Sequence, residues 1–384
     1  MEFSKRLDLF GDEIFSALNQ RKVALEAQGR TLFNLSVGTP DFEAPAHVKQ
    51  ALMDAAKNQD NWKYSLRDLP ELLDAVCSYY QRRFGVAITP DQVMSVNGSQ
   101  EGMGHLGLAL CDEGDTVLLP DPGYPVFTAG AKLGGATPWY YPLSAEKGFL
   151  PDFDAIPDEV ADRAKYMVVS LPANPVGSVA RPGFYEELVA YGKAHDLLIV
   201  HDNAYSDIIF DGNVGRSFFN TPGAEDVGVE FFSLSKSFNV TGARISFLVG
   251  RRDVVAALRK LRSQIDFGMF LPIQYAAIAA LTGPLDSVGR PVRRPALHRL
   301  ERTGQPRQYV CVGAAARPLH QEHGLLHGSD RQGRGHLHPG PELRAPRRGV
   351  CALCAGASAG AHCPGGGGHP GERPGGAALT CLYS

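Results

Sequence analysis

Long apolar runs are absent from this chain of 384 residues, and its net charge is only -3 at pH 7. A membrane-spanning helix needs about 20 consecutive apolar residues, so the sequence predicts no transmembrane segment. The first residues also lack the apolar region of a secretory signal, which predicts a cytoplasmic protein. The small net charge gives no electrostatic reason to expect a nucleic-acid or membrane partner. The length suits one large domain with a buried core and a smaller second domain.

The last hundred residues lack several residue types that the rest of the chain uses. No Lys, Ile, Met, Asn or Trp occurs after residue 284, and no Phe occurs after Phe270. Eight of the 12 His and five of the 7 Cys lie there instead, together with 13 Arg against 6 acidic residues. A domain core needs the large apolar side chains in which this segment is poor. We therefore treat residues 285–384 as an aberrant tail.

Three interpretations of this tail remain open. The first is a metal site built on Cys351-Ala-Leu-Cys354 with His362 and Cys363, although a single C-x-x-C and a badly spaced second pair disfavour it. The second is a disordered basic tail, which the glycine run at 365–368 suits. We favour the third, a frameshifted reading of a GC-rich gene. In that case another reading frame after codon 284 encodes amphipathic helices and strands.

The body of the chain before the tail alternates strand-like apolar runs with helical periodicity. Candidate strands are residues 92–96, 116–119, 166–171, 197–200, 229–232 and 244–249, and candidate helices include 12–28, 101–110 and 254–266. This alternation predicts an α/β fold with a mostly parallel sheet and helices on both faces. Ligands bind at the carboxyl ends of the strands in such sheets, so residues that follow the strands are the candidates for a functional site.

A lysine follows one of these strands in a distinctive setting. Lys236 ends the segment Ser233-Leu-Ser-Lys236, and Arg244 lies eight residues further on. A lysine among small hydroxyl residues is suited to form an imine with an aldehyde, while the hydroxyls and the arginine hold a phosphate of the same ligand. Pyridoxal 5′-phosphate (PLP) has both groups. The alternative is a solvated Ser/Lys loop after a strand.

Three further side chains match the partners that a PLP lysine needs. Asp202 ends an apolar strand, where its carboxylate can keep the pyridine nitrogen protonated. Tyr205 comes three residues later, and Asn174 lies in a proline-rich turn after another strand. The alternative for each is an ordinary turn residue, since strand-terminal acids and Asn-Pro turns are common.

Two other segments suit the phosphate and the ring of this cofactor. The turn at residues 97–100 opens a helix, where free N–H groups and the helix dipole favour an anion. Tyr124 lies in a loop bracketed by prolines, which suits stacking on a flat ring. Residues 102–107 match the G-x-G-x-x-G dinucleotide motif, but their glycines fall inside the predicted helix. We therefore interpret that match as a coincidence and His105 within it as a packing residue.

Taken in order along the chain, these motifs resemble the fold-type I PLP-dependent aminotransferases, the superfamily of aspartate aminotransferase. The likeness extends from about residue 34 to residue 283. Within the superfamily, the sequences of these motifs are most similar to those of the LL-diaminopimelate aminotransferase branch. The resemblance implies a PLP-transferase fold and transfer of an amino group from an amino acid to a 2-oxo acid. It also implies that PLP is carried as an imine (Schiff base) on Lys236. One departure is Val176, which stands where the family's Asn-Pro-Thr-Gly turn has threonine.

The resemblance further implies a role for each matching residue. Lys236 is the cofactor-binding lysine and the base that moves the α-proton of the substrate, and Asp202 pairs with the pyridine nitrogen. The 3′-oxygen of PLP is bound by Tyr205 and Asn174, its ring by Tyr124, and its phosphate by Gly98, Ser99, Gln100, Ser233 and Arg244. Tyr64 resembles the tyrosine that reaches the neighbouring subunit's phosphate, which implies a homodimer. Gly38 lies in the loop that contacts the substrate carboxylate.

The resemblance divides the chain into an N-terminal arm and part of a small domain (1–45), a large PLP-binding domain (46–284) and the tail (285–384). The family's carboxylate-binding arginine belongs to the region that the tail replaces, and no tail arginine has a matching context. We therefore expect the chain to bind PLP, to turn over slowly and to fold marginally. The alternatives are C–S lysis or decarboxylation on the same scaffold, and a non-catalytic PLP-binding protein. No metal site is predicted.

Overall fold

The structure is a computed structural model that describes residues 1–11, 14–29, 38–40, 42–209 and 215–285. The predictions for the tail, apart from Leu285, lie outside the described residues. So do the first two residues of the predicted helix at 12–28 and most of the predicted substrate loop before Gly38.

The described part of the chain contains seven strands and eleven α-helices, besides seven short 3-10 helices. The strands are β1 (Val93–Val96), β2 (Thr116–Asp121), β3 (Thr137–Pro142), β4 (Ala164–Ser170), β5 (Leu198–Asn203), β6 (Gly228–Ser233) and β7 (Ser246–Gly250). The helices are α1 (Ile14–Ala27), α2 (Ala46–Lys57), α3 (Pro70–Phe84), α4 (Ser99–Leu110), α5 (Pro125–Leu133), α6 (Asp158–Ala161), α7 (Phe184–Ala194), α8 (Ala224–Val227), α9 (Leu234–Ser237), α10 (Arg252–Arg262) and α11 (Leu271–Thr282).

All seven strands form one sheet in the order β1-β7-β6-β5-β4-β2-β3. The pairs β2–β3, β2–β4, β4–β5 and β5–β6 are parallel, whereas β7 runs antiparallel to both β6 and β1. The predicted α/β fold with a mostly parallel sheet is therefore confirmed. The six predicted strands are all present, while β3 was missed. Its sequence, Thr-Pro-Trp-Tyr-Tyr-Pro, carries two prolines, which demote a strand prediction but are tolerated on an edge strand such as this one.

Helices cover both faces of the sheet, as the strand–helix alternation predicts. One face packs against α4, α5 and α10, and it includes Val200 and Phe231. The other face packs against α7 near Ile199 and against α3 and α11 near Phe232. Neighbouring strand residues such as Ile199 and Val200 belong to different clusters because successive side chains point to opposite faces. The central strands are thus buried on both faces of the sheet. A ligand can therefore approach them at their ends, and not from either face.

The glycines of the G-x-G-x-x-G match lie inside α4, as predicted, and not in the turn before it. Gly107 packs directly on α5, where an added Cβ would meet the carbonyl oxygen of Gly130 at 2.1 Å. Gly107 therefore serves close packing of α4 on α5, whereas a Cβ on Gly102 would meet the Phe231 ring of the sheet at 2.5 Å. In the described part of the chain, no helix has both the length and the apolarity to cross a lipid bilayer.

Candidate active site

Lys236 lies where β6 passes directly into the single turn of α9. The Ser233 hydroxyl caps this turn by accepting a hydrogen bond from the Ser235 N–H at 3.2 Å. The Lys236 ammonium donates to the carbonyl oxygen of Gly38. The structure therefore brings the predicted cofactor lysine into contact with the predicted substrate-loop residue, although they are 198 positions apart.

The surroundings of Lys236 favour a neutral amine. Burial lowers the pKa of Lys236, and the nearby positive charge of Arg244 lowers it further. Both effects penalise the ammonium form, because a charge is costly in a poorly solvated site and next to a like charge. A larger fraction of the side chain is therefore the free amine, the form that attacks an aldehyde or accepts a proton.

Asp202 is a buried carboxylate with an unused oxygen. It is 5% exposed, near the carboxyl end of β5, and its Oδ2 accepts a hydrogen bond from the Ser170 hydroxyl at 3.4 Å. Its Oδ1 is buried and has no hydrogen-bond partner among the described residues. Burial raises the pKa of Asp202 to about 6, against smaller lowering effects of His201 and Ser170. A cationic N–H donor such as a protonated pyridine nitrogen would satisfy this oxygen, so the site fits the cofactor.

Tyr205 and Asn174 meet beside this carboxylate. The amide nitrogen of Asn174 donates to the Tyr205 hydroxyl at 3.4 Å. Burial raises the pKa of the Tyr205 phenol, and the nearby Asp202 raises it further. The replacement by Val176 leaves the Asn174 amide in place. The phenol stays protonated at neutral pH, so it can donate a hydrogen bond to an oxygen of a ligand while accepting one from Asn174.

Tyr124 extends the same cluster toward α4. It is the residue before α5, and its hydroxyl donates to the Gln100 side-chain oxygen at 3.0 Å. It is also near enough to Tyr205 to act electrostatically on that phenol and raise its pKa. The loop and the helix start that the sequence assigned to the ring and to the phosphate are therefore adjacent in space.

The turn before α4 is built around one glycine and one arginine. Gly98 has φ of +82°, and a Cβ there would lie 2.2 Å from the Arg244 guanidinium, so only glycine fits. Arg244 reaches this turn from the far side, where its Nη2 approaches the Asn97 carbonyl at 3.5 Å. The Ser99 hydroxyl is buried and unpartnered within the described ranges. A cation, a free hydroxyl and the N–H groups of a twelve-residue helix converge here, which is a suitable site for a phosphate.

Two predicted residues are placed differently from the rest. Ser233 uses its hydroxyl within the fold, since it accepts from the Ser246 hydroxyl at 2.8 Å as well as capping α9. Tyr64 is 82% exposed, and its ring packs against Phe267 with a centroid distance of 5.3 Å. Within this chain, Tyr64 therefore has no described contact with the other candidate residues.

Asp207 is a residue that the sequence analysis missed. One of its oxygens accepts from the Ser237 hydroxyl at 2.6 Å, and the other pairs with Arg83 at 2.9 Å. Ser237 directly follows Lys236, so this carboxylate ties the lysine-bearing turn to α3. The sequence around Asp207 gave no indication of this role, because its partner Ser237 lies 30 positions further along the chain.

A buried Glu230–His201 pair was also missed. Glu230 accepts from the His201 ring at 2.8 Å, the Tyr80 hydroxyl at 2.7 Å and the Ser217 hydroxyl at 2.9 Å. Burial raises the pKa of Glu230, but hydrogen bonds, led by those from His201 and Tyr80, outweigh it and hold the pKa below its ordinary value. His201 precedes Asp202 on β5, so this network fixes the strand that carries the unsatisfied carboxylate. The apolar run of β5 indicates that position 201 is buried, but it does not indicate this pairing.

Comparison with known proteins agrees with this geometry. The family model "Aminotransferase class I and II" matches residues 30–299. The LL-diaminopimelate aminotransferase of Moorella thermoacetica is 41% identical over 296 residues, which cover 77% of this chain and 76% of that protein. The structure of substrate-bound BacF from Bacillus subtilis has 34% identity and a TM-score of 0.71, covering 78% of this chain and 75% of that one. The structure of a probable N-succinyldiaminopimelate aminotransferase from Thermus thermophilus has 32% identity and a TM-score of 0.68. The match covers 71% of this chain and 74% of that one.

These matches confirm the predicted family, fold and cofactor. The enzyme class is a transaminase, which moves an amino group between an amino acid and a 2-oxo acid with pyridoxal 5′-phosphate as cofactor. The chain belongs to the class I and II aminotransferases.

Proposed function

We propose that the amino donor of this enzyme is LL-diaminopimelate. The proposal is supported by relatives from several bacteria that carry this name and are 38% to 43% identical over about three quarters of this chain. The observation that carries the site assignment is the buried, unpartnered oxygen of Asp202 beside Tyr205, on the strand that pairs with β6. Residues suited to hold the cofactor are thus present in the described part of the chain.

We propose the following roles for the residues that hold the cofactor. Asp202 binds the pyridine nitrogen, Tyr205 and Asn174 bind the 3′-oxygen, and Tyr124 lies against the ring. Gly98, Ser99, Gln100, Ser233 and Arg244 surround the phosphate. PLP supplies an aldehyde for condensation with amines and a protonated ring that withdraws electrons from the bonds at the substrate's Cα.

Lys236 has two tasks in this proposal. Its amine, whose pKa is lowered by burial and by Arg244, would hold the cofactor covalently through the cofactor's aldehyde. As a free amine, Lys236 would also act as the base that accepts the proton from the substrate Cα. Gly38, whose carbonyl accepts from Lys236, would lie beside a substrate bound at this lysine.

The donor assignment predicts a ranking among amino acids. We expect the cofactor absorption to change fastest when LL-diaminopimelate is added without an acceptor, compared with aspartate, glutamate and the meso stereoisomer. Without an acceptor, the donor reacts only once with each cofactor molecule. This single reaction can be measured in a chain whose full cycle is slow. Stopped-flow spectra at equal donor concentrations give the ranking.

The outcomes of this screen separate three possibilities. A faster change with aspartate than with LL-diaminopimelate would contradict the donor assignment while leaving the transaminase intact. Release of pyruvate or CO₂ without any acceptor would indicate lysis or decarboxylation instead. A cofactor spectrum that no amino acid changes would indicate a protein that binds the cofactor without catalysis.

We also propose that the enzyme is a homodimer with shared sites. Two loops pack together at the start of α3 and between α10 and α11, where the Ser65 hydroxyl accepts from the Gln274 amide at 2.9 Å. They expose an aromatic patch, which consists of Trp62, Tyr64, Leu66, Ile265, Phe267 and Phe270. Large exposed apolar patches mark interaction sites. A second copy is the occupant we propose, because Tyr64 has no described contact with its own chain's site and can serve a neighbour's phosphate.

Charges placed in the aromatic patch are expected to separate the subunits. Leu66→Glu and Phe267→Glu should each weaken dimerisation by roughly thirtyfold or more, since a buried charge replaces an apolar contact. Light scattering across a concentration series measures this. Leu108→Glu, at an exposed position on α4, is the control and should stay dimeric. Monomeric wild-type protein, or patch variants as dimeric as the control, would contradict the proposal.

The division into an arm (1–45), a PLP-binding domain (46–284) and a tail (285–384) also stays a proposal, as does the cytoplasmic location. The match to the family model ends at residue 299, close to the change in composition. This supports the frameshift interpretation of the tail, and repeated sequencing of the gene beyond codon 284 checks it.

A further inference from the structure

Asn97, the residue before Gly98, is held at both of its nitrogens. Its backbone N–H donates to Glu101 Oε2 at 2.9 Å, and its side-chain amide donates to Asp266 Oδ2 at 3.0 Å. Its carbonyl faces Arg244. The turn proposed to hold the phosphate is therefore fixed on one side by Arg244 and on the other by two carboxylates.

These two carboxylates are joined by one buried cation. Arg262, at the end of α10, is 5% exposed. Its Nε lies 2.8 Å from Asp266 and 3.8 Å from Glu101, and its Nη1 donates to the Ser95 carbonyl on β1. A single guanidinium thus connects the strand before the turn, the first helical turn after it and the loop that binds the Asn97 amide.

The position of these charges matters for an anionic ligand. Glu101 lies in the first turn of α4, close to the site proposed for a phosphate, and an uncompensated carboxylate there would repel it. The other titratable or charged side chains in this cluster are His105, which contacts Glu101 at 2.7 Å, and Asp68, which accepts from the Ser95 hydroxyl at 2.5 Å. Arg262 is the one Lys or Arg that the described chain pairs with either Glu101 or Asp266.

We propose that Arg262 is a positioning residue for the cofactor's phosphate. It neutralises Glu101 and Asp266 so that both can hold Asn97, and thereby Gly98 and Ser99, in the anion-binding conformation without repelling the anion. It acts through these residues and does not itself bind the phosphate. This inference rests on the proposed placement of the phosphate at the start of α4.

The test compares PLP with pyridoxal, which lacks the phosphate. The full-length chain is freed of cofactor, and the affinity for each compound is measured by spectroscopic titration. We expect Arg262→Met to weaken PLP binding about tenfold while changing pyridoxal binding little, because charge-assisted bonds that order the turn are lost. The matched control is Arg259→Met, since Arg259 lies on the same helix and donates to the Val93 carbonyl of the same strand at 2.9 Å. It should leave the PLP-to-pyridoxal affinity ratio unchanged.

A third variant, Arg244→Met, separates this inference from the proposed site. If wild-type protein does not prefer PLP over pyridoxal, or if Arg244→Met leaves the ratio intact, the phosphate is not held here and the proposed site is wrong. If Arg244→Met lowers the ratio but Arg262→Met behaves like Arg259→Met, the positioning role is wrong. Should Arg262→Met fail to fold, Asn97→Ala removes only the bond to Asp266. It must lower the ratio in the same direction, and an unchanged ratio overturns the inference.

Discussion

Replacing Lys236 by alanine is expected to abolish the covalent bond between protein and cofactor and to lower the transamination rate by about 10⁴-fold. The structure gives the reason, because this amine is partly buried just after the junction of β6 and α9, and its pKa is lowered by burial and by Arg244. The rate is measured as the ratio of variant to wild type, so a slow wild-type chain does not obscure it.

Lys193→Ala is the control for this experiment. Lys193 is exposed and paired with Asp226 at 2.8 Å, away from the residues assigned to the cofactor. It should retain both the wild-type spectrum and the wild-type rate. A Lys236→Ala protein that still carries a borohydride-reducible cofactor would show that another amine holds it.

Asp202→Asn is expected to stabilise the cofactor-free protein and to impair the loaded one. Burial raises the pKa of Asp202 from 3.8 to about 6 in the folded state. The folded chain therefore binds more protons than the unfolded chain between these values, so folding stability falls as pH rises through this window and stays reduced above it. Asparagine does not titrate. Its stability advantage over wild type should therefore grow by about 1 kcal/mol between about pH 5 and about pH 8.

Urea denaturation of the cofactor-free proteins at the two pH values measures this difference. Asp154→Asn, at an exposed aspartate, is the control and should show no growing advantage. With cofactor bound, Asp202→Asn should transaminate roughly 10²–10³-fold more slowly, since the ring nitrogen loses its anionic partner. A variant that gains no stability with rising pH, or that transaminates normally, would contradict the role of Asp202.

The sequence predicted those parts of the site that follow strands. Lys236, Asp202 and Asn174 each lie at or just beyond the carboxyl end of a buried strand, and parallel strands bring such ends to one edge of the sheet. The turn at Gly98 was predictable because a glycine before a helix indicates both a tight turn and an anion site. Local chemistry and strand order were therefore sufficient to place these residues together.

The supporting residues could not be predicted in the same way. Asp207, Glu230 and Arg262 look like ordinary charged residues in the sequence, and their importance comes from partners more than a hundred positions away, such as Arg83, Tyr80 and the Ser95 carbonyl. Such pairings depend on how α3 and α10 pack on the sheet, which periodicity does not specify. The missed strand β3 has a similar cause, since its prolines conceal a strand that parallel pairing with β2 stabilises.

The most direct test of this account is to locate the bond between the cofactor and the chain. Purified full-length protein is treated with borohydride, digested and analysed by mass spectrometry. We expect a pyridoxyl phosphate group on the peptide that contains Ser233-Leu-Ser-Lys236, attached to Lys236. The same group on a different lysine, or on none, would contradict it.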